Sequence, residues 1–164
     1  MTSDDELVRR WRGGDEAAFE ALYERHHAWI VSLALRFTRD RDAALDILQE
    51  TFAYLVRKRA SLELRVQMRS FLYPVVKHLA LRRLEQGRRQ VPMAVEGTST
   101  PAADGKIDDL LAGLSQAQQE VVQMRFTDGL DLQEIAEALE IPLGTVKSRL
   151  HGALEILKNR MSNR

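Results

Sequence analysis

The chain has 164 residues, 45% of them hydrophobic and 29% charged, with a formal net charge of zero and no cysteine. The lack of cysteine excludes disulfides, Cys-based zinc sites and thiol catalysis, and it fits a reducing compartment. No apolar run approaches the roughly 18 residues of a membrane span, and the N-terminal MTSDDELVRRW lacks the apolar core of a signal peptide. We therefore expect a soluble cytoplasmic protein of one domain or two small ones.

The first half of the chain has the apolar spacing of helices. A helix is predicted over residues 15–37, capped by Asp15, and a second over residues 42–57. A third is predicted over residues 66–86, with Pro74 inside it. Because proline removes a backbone donor and clashes with the preceding turn, we expect a kink or a fresh start at that residue.

Residues 87–105 have no periodicity and are rich in Gly, Pro, Ser and Thr, which is typical of a linker. Four helices are predicted after it, over about residues 108–113, 115–126, 131–139 and 144–161, and the second and third are opened by capping boxes, Ser115 with Gln118 and Asp131 with Glu134. The fold class is all-α, with two small helical domains joined by a flexible linker. The predicted boundaries are residues 1–89 for the first domain, 90–106 for the linker and 107–164 for the second domain.

Charge is unevenly distributed along the chain. Residues 57–89 contain ten Lys or Arg and two acids, residues 104–140 contain nine acids and two basic residues, and residues 141–164 contain five basic residues and one acid. Each basic stretch lies on a predicted helix, which favours nucleic-acid contact over the simpler interpretation of solvated helix faces.

The segment DLQEIAEALEIPLGTVKSRLHGALEILK, residues 131–158, predicts a helix-turn-helix. Small Ala136 permits a close helix crossing, Pro142 and Gly144 stop the first helix, and Val146 and Leu150 point inward, with Ala153, Leu154 and Leu157 extending that seam. The outward face of the second helix would carry a polar, basic set that can contact base edges and phosphates: Thr145, Lys147, Ser148, Arg149 and His151. The alternatives are an ordinary helical hairpin and a helix-turn-helix that contacts only protein.

Residues 114–158 resemble the promoter-binding C-terminal domain of bacterial sigma factors, and the string IP-x-GTVKSRLH is especially close to the extracytoplasmic-function (ECF) class. The string alone would also suit the output domain of a response regulator. The N-terminal half resembles the sigma core-binding domain, through GDEAAFEALYERH, RDRDAALDILQETFAYLVRKR and SFLYPVVKHLALRRLEQGRR. The matching segments follow the family order and cover residues 5–89 and 108–161.

The resemblance implies a subunit that binds the RNA polymerase core and directs transcription initiation. The residues that match the helix docked on the polymerase clamp are Asp46, Gln49, Glu50 and Phe52. The residues near the family's minus-ten promoter contacts are Phe71, Tyr73, Lys77, His78, Arg82 and Arg83. Aromatic rings there can stack on unpaired bases, and cations can follow the phosphates. For Phe71 we favour core packing instead, and for Tyr73 both roles stay open.

The resemblance also implies partners and a mode of action. The C-terminal helix would read the minus-thirty-five element, with the two domains tethered by roughly 18 residues that reach about 60 Å if extended. The family is typically held inactive by an anti-sigma protein, so we expect such a partner and a monomer when the chain is free.

Several residues depart from the family pattern. His78 and Arg82 stand where the family often has Asn and Asp, Pro74 lies where its helix usually continues, and Gly152 replaces a frequent basic residue. These departures leave a sigma-like or helix-turn-helix regulator, acting by DNA or protein binding without promoter melting, as the alternative. No residue constellation for catalysis, metal or phosphate-loop binding is visible, so we expect no enzyme and no cofactor.

Overall fold

The computed structural model describes residues 1–90 and 105–163, and the chain divides into two compact units, Met1–Gln90 and Val91–Arg164. The regular elements in the described residues are all helical. In the first unit they are α1 (Asp4–Arg12), α2 (Glu16–Thr38), α3 (Arg41–Lys58), a 3₁₀ turn (Arg59–Ser61) and α4 (Met68–Gln90). In the second unit they are α5 (Gly105–Leu111), α6 (Gln116–Val122), a π-helical turn (Gln123–Thr127), α7 (Leu132–Leu139) and α8 (Leu143–Ser162).

The all-α class is confirmed. Most of the predicted linker lies outside the described residues, although α4 extends to Gln90 and α5 already begins at Gly105. No helix in the described part of the chain has the length and apolarity that would let it cross a membrane.

Helix α1 was not predicted from the sequence. The Ser3 hydroxyl accepts from the backbone N–H of Glu6, and the helix has an acidic first turn and a basic last turn, which stabilise its ends. Leu7, Val8 and Trp11 are buried against the rest of the unit. A turn through Gly14, whose φ of 106° favours glycine, leads into α2.

An ion pair and a second polar contact join the start of α1 to α2. Arg25 Nη1 donates to Asp4 Oδ1 at 2.6 Å, and His26 Nε2 lies 2.9 Å from Asp4 Oδ2. Burial raises the pKa of Asp4, but the hydrogen bonds and charges of His26 and Arg25 outweigh it, so this pKa lies below its ordinary value of 3.8. The carboxylate therefore favours the folded state in its charged form.

Helices α2, α3 and α4 pack against one another in pairs and form the core of the first unit. Their buried residues recur at helical spacing, as expected for helices that bury one face. The fully buried ones include Leu22, Ile30, Leu33, Ile47, Leu55, Leu72 and Tyr73. Asp40 caps α3 through the backbone N–H groups of Asp42 and Ala43.

Helix α4 runs through Pro74 as one element, so of the two outcomes expected there, a kink or a fresh helix start, the fresh start does not occur. Pro74 is the seventh residue of the helix and its ring is exposed. The missing N–H therefore costs one hydrogen bond near the N-terminal end while the apolar contacts of Leu72 and Val76, both buried, continue on either side.

In the second unit both predicted capping boxes are present. Ser115 caps α6 together with Gln118, and Asp131 caps α7 together with Glu134. One core cluster joins α5, α6 and α8 through Leu111, Leu114, Val122 and Ala153, with Leu150, Ile156 and Leu157 packed against it. Leu154 was predicted to extend the inward-pointing row of Val146 and Leu150, but its side chain is 43% exposed, so that prediction was wrong.

Candidate nucleic-acid and protein interfaces

The outer face of α3 carries three of the four residues predicted to bind polymerase. Asp46, Gln49 and Glu50 are exposed and lie within about one helical turn of one another. Phe52 does not share this face: it is 6% exposed, and its ring lies 5.8 Å from that of Phe19 and 4.9 Å from that of Tyr23. Burial removes Phe52 from the candidate surface, and its role is to hold α3 against α2.

An ion pair links α3 to α4 through residues from two different predicted sets. Arg83 Nη1 donates to Asp46 Oδ2 at 2.8 Å and approaches the carbonyl of Ala43 at 3.4 Å. The side chains are 35% and 56% exposed, so the pair contributes little to stability. It does mean that Arg83 is already neutralised by a carboxylate in this conformation.

The structure decides the role that was left open for Tyr73, and it places Phe71 differently from the core position that we favoured. Tyr73 is 1% exposed, its hydroxyl accepts from Arg36 Nη2 at 3.2 Å, and its ring lies 6.4 Å from that of Phe37. Tyr73 therefore belongs to the core and presents no face to a base. Phe71, for which core packing was favoured, is only half-buried.

The polar residues further along α4 differ in their exposure to solvent and in whether they already have an interaction partner. His78 and Arg82 are exposed, whereas Lys77 is half-buried and already has an interaction partner. His78, Arg82 and Arg83 line one cleft of about 520 Å³ between α3 and α4. The other residues that line it are Glu50, Ala53, Tyr54 and Arg57 of α3, with Pro74, Val75, Leu79 and Gln86 of α4.

Tyr54 and Arg57 were not identified from the sequence as site residues. Their spacing from Glu50, at i+4 and i+7, is the signal that could have found them, because these positions share one face of a helix.

The geometry of the second unit agrees with a helix-turn-helix over α7 and α8. Glu140 ends α7 in the left-handed region at φ 55°, and the backbone N–H of Ile141 donates to the carbonyl of Ala136 at 3.1 Å. Pro142 then precedes α8, its carbonyl accepting from the N–H groups of Thr145 and Val146. Proline suits this position because the first residues of a helix need no donor partner.

The predicted face of α8 is mostly accessible. Lys147, Ser148 and His151 are exposed, and Thr145 and Arg149 are half-buried. Val146 and Ala153, both fully buried, anchor the opposite side of the helix. The N-terminal half of α8 therefore presents hydroxyl, imidazole and cationic groups together, as a recognition helix requires.

Helix packing explains why glycine stands at position 152 in this chain. A Cβ atom at Gly152 would lie 3.1 Å from Nε2 of Gln118, the residue of the α6 capping box. A larger side chain would have to displace Gln118, so the small residue permits α6 and α8 to approach closely.

Among the described residues, no group of three or more His, Asp or Glu side chains could hold a metal ion. What the two units offer is a set of polar, partly cationic helix surfaces.

Two family descriptions match the chain, one in each unit. Sigma-70 region 2 matches residues 22–90, which include α3 and α4, and Sigma-70, region 4 matches residues 110–159, which include α7 and most of α8. Together they cover well over half of the chain, in the order that the sequence predicted.

Named relatives extend the similarity over almost the whole chain. It is 26% identical to the ECF RNA polymerase sigma-E factor of Haemophilus influenzae over 181 residues, covering 97% of this chain and 95% of the relative. It is also 26% identical to the RNA polymerase sigma-H factor of Pseudomonas aeruginosa over 176 residues, covering 94% and 91%. The ECF RNA polymerase sigma factor SigW of Bacillus subtilis is 24% identical, with 94% of each chain covered.

Two solved structures share the fold at 19% identity. The structure of CnrH in complex with the cytosolic domain of CnrY has a TM-score of 0.70 and covers 99% of both chains. The sigma factor RpoE in complex with the anti-sigma factor NepR from Bartonella quintana has a TM-score of 0.60 and covers 88% of this chain and 96% of that one. The chain therefore belongs to the sigma-70 family, in its ECF class, and is a transcription initiation factor that binds RNA polymerase and recognises promoter DNA rather than an enzyme.

Proposed function

We propose that three helices of this sigma factor each make a different contact in transcription initiation. The outer face of α3 docks on the polymerase core, α4 contacts the minus-ten promoter element, and α8 reads the minus-thirty-five element. The observation that carries this assignment is that each family region falls on a separately packed unit with its own exposed polar helix face. The first domain would comprise residues 1–89 and the second residues 107–164.

Asp46, Gln49 and Glu50 form the proposed polymerase surface. All three are exposed on one turn of α3, and the buried ring of Phe52 fixes the rotation of the helix that presents them. Because Asp46 is paired with Arg83, a cation on the polymerase must compete with that arginine. Polymerase docking would then release Arg83 for a DNA phosphate.

Tethering accounts for promoter recognition by a chain with no net charge. Two weak DNA contacts held on one polymerase reinforce each other through their effective concentration. Lys147, Ser148, Arg149 and His151 then supply sequence preference, while much of the affinity comes through the core enzyme. The free protein should bind DNA weakly and with strong salt dependence.

An anti-sigma protein is the proposed inhibitory partner. The solved structure of the Bartonella quintana sigma factor contains an anti-sigma factor, and that of CnrH contains the cytosolic domain of CnrY. A partner of this kind on our chain would cover the α3, α4 or α8 surface. The free chain would be a monomer and would act in the cytoplasm, with RNA polymerase.

Charge reversal on α3 tests the docking surface. Glu50→Lys should weaken the complex with core polymerase, whereas Glu20→Lys, an equally drastic change at an exposed position of α2, should leave it intact. The complex is measured by size-exclusion chromatography of the full chain with core enzyme. Equal loss of binding in both variants would point to a general charge effect and would contradict the assignment.

A further inference from the structure

Helix α5 is the first described element of the second unit, and much of its surface is exposed. It has seven residues, Gly105–Leu111, and follows residues 91–104, whose composition predicts a linker. Leu111 is buried in the core cluster, whereas residues 106–109 are exposed. A helix of this length is not stable by itself in water, so α5 depends on its contacts with the rest of the unit.

Side chains from two other helices hold the C-terminal end of α5. Arg160, in the last turn of α8, donates from Nη1 to the carbonyl of Leu110 at 2.9 Å. From α6, Nε2 of Gln119 donates to the carbonyls of Leu111 at 3.0 Å and of Leu114 at 3.1 Å. The last carbonyls of a helix have no partner within it, and a cation near them also interacts favourably with the helix dipole. These contacts therefore complete the end of α5 and hold it against α6 and α8.

Gly113 makes the close approach of Arg160 possible. A Cβ atom at Gly113 would lie 2.5 Å from Nη1 of Arg160 and 3.1 Å from its Cζ, which is too close for non-bonded heavy atoms. Gly113→Ala would therefore displace the guanidinium from the carbonyl of Leu110 and leave its charge in place. The contact can thus be broken from either side, by removing the arginine or by displacing it.

Release of α5 would lengthen the connection between the two units. Its seven residues span about 10 Å as a helix and about 24 Å when extended. The difference, about 14 Å, corresponds to roughly four base pairs of DNA at about 3.4 Å each. Release would also add seven residues to the fourteen that separate Gln90 from Gly105, and for a flexible connection this lowers the effective concentration of the second DNA contact about twofold.

We infer that Arg160 is a positioning residue that limits the spacing between the two promoter elements. By holding α5 on the second unit, it keeps the connection short and so restricts how far apart the elements contacted by α4 and α8 can lie. Arg160 touches no DNA in this role, because it acts through the position of α5. This role rests on the proposed function, since it requires that the two units contact separate elements.

Hydrogen exchange in the full chain measures whether Arg160 holds α5. Arg160→Ala and Gly113→Ala should each speed exchange at the end of α5 by on the order of tenfold, for example at the N–H of Ala112, which donates to the carbonyl of Asp108. Lys158→Ala removes an exposed cation from the same end of α8 and is the matched control. Unchanged exchange in α5, or an equal loss of protection throughout the second unit, would overturn the inference.

Promoter spacing measures the consequence for transcription. Holoenzyme containing the full chain transcribes a promoter that the unmodified chain has selected from a randomised library, in versions that differ by single base pairs in the distance between the two elements. Arg160→Ala and Gly113→Ala should give about twofold less transcript at the best spacing, and they should still initiate at spacings a few base pairs longer than the unmodified chain accepts. Lys158→Ala should match the unmodified chain. An equal loss at every spacing would reduce Arg160 to a structural role and would refute the inference.

The unmodified chain distinguishes failure of this role from failure of the proposed function. If it does not join the core, or does not use two separate elements, the proposed function fails, and the role of Arg160 fails with it. If it does both, and the variants that release α5 keep the spacing profile of the unmodified chain, only the role of Arg160 fails.

Discussion

Substitutions of Phe52 can distinguish a packing role from a polymerase contact. The resemblance placed this residue in the polymerase interface, whereas the structure places it in the core of the first unit. Its ring is 6% exposed and lies against Phe19 and Tyr23. Phe52→Ala should therefore destabilise the first unit by about 3–5 kcal/mol. Phe52→Leu keeps an apolar side chain of similar size and should cost roughly 1 kcal/mol.

The size of the stability loss determines how much folded protein each variant retains for binding polymerase. Domains of this size typically have about 5–15 kcal/mol of stability, so Phe52→Ala removes a large share of it while Phe52→Leu leaves most. Phe52→Leu should bind core polymerase like the unmodified chain. Phe52→Ala should lose binding only in proportion to the unfolded fraction of the first unit.

Urea unfolding followed by tryptophan fluorescence measures the effect selectively. The chain has two tryptophans, Trp11 and Trp29, and both belong to the first unit, so the signal reports that unit within the full chain. Phe126→Ala is the control, since Phe126 is 62% exposed in the second unit and should leave the curve unchanged. A Phe52→Ala variant with nearly normal stability and no polymerase binding would refute the packing role.

Three further predictions concern the two units separately. Asp131→Ala removes the α7 cap and should destabilise the second unit by about 1 kcal/mol, seen as an earlier thermal transition in far-UV circular dichroism; an unchanged transition would contradict the cap. Because the pKa of Asp4 is lowered in the folded state, its contribution to the free energy of unfolding is present above the unfolded pKa and is lost as pH falls through the folded pKa. Asp4→Asn should therefore flatten the acid limb of a curve of stability against pH. An unaltered acid limb would argue against the ion pair between Asp4 and Arg25. Arg149→Ala should reduce transcription from the chain's own promoter at every salt concentration, and equal output would remove Arg149 from the proposed recognition face.

Local sequence signals predicted the helix starts well. The capping boxes at Ser115 and Asp131 form as the residue types require, because a side chain that satisfies a nearby backbone N–H depends on no distant contact. The order of helices and the helix-turn-helix follow from the same kind of information. Helix α1 carries comparable signals, namely Ser3 and an acidic first turn, which could have predicted it.

Side-chain burial on α4 and α8 could not be predicted with the same success. Phe71 and Tyr73 are two residues apart and therefore point to nearly opposite sides of α4, so which of them is buried depends on how α4 packs against α2. Leu154 is exposed because the neighbours of α8 cover Val146 and Ala153 instead. The cleft that contains Tyr54 requires both α3 and α4, and neither helix shows it alone.

Assembly with core polymerase tests the central claim most directly. The full chain is mixed with core enzyme and a randomised promoter library, and the start sites of the transcripts are sequenced. The account predicts a one-to-one complex that initiates downstream of two unlike, spaced elements, with Arg149→Ala affecting the upstream element alone. A chain that stays apart from the core, or that selects one palindromic site as a dimer, would contradict it.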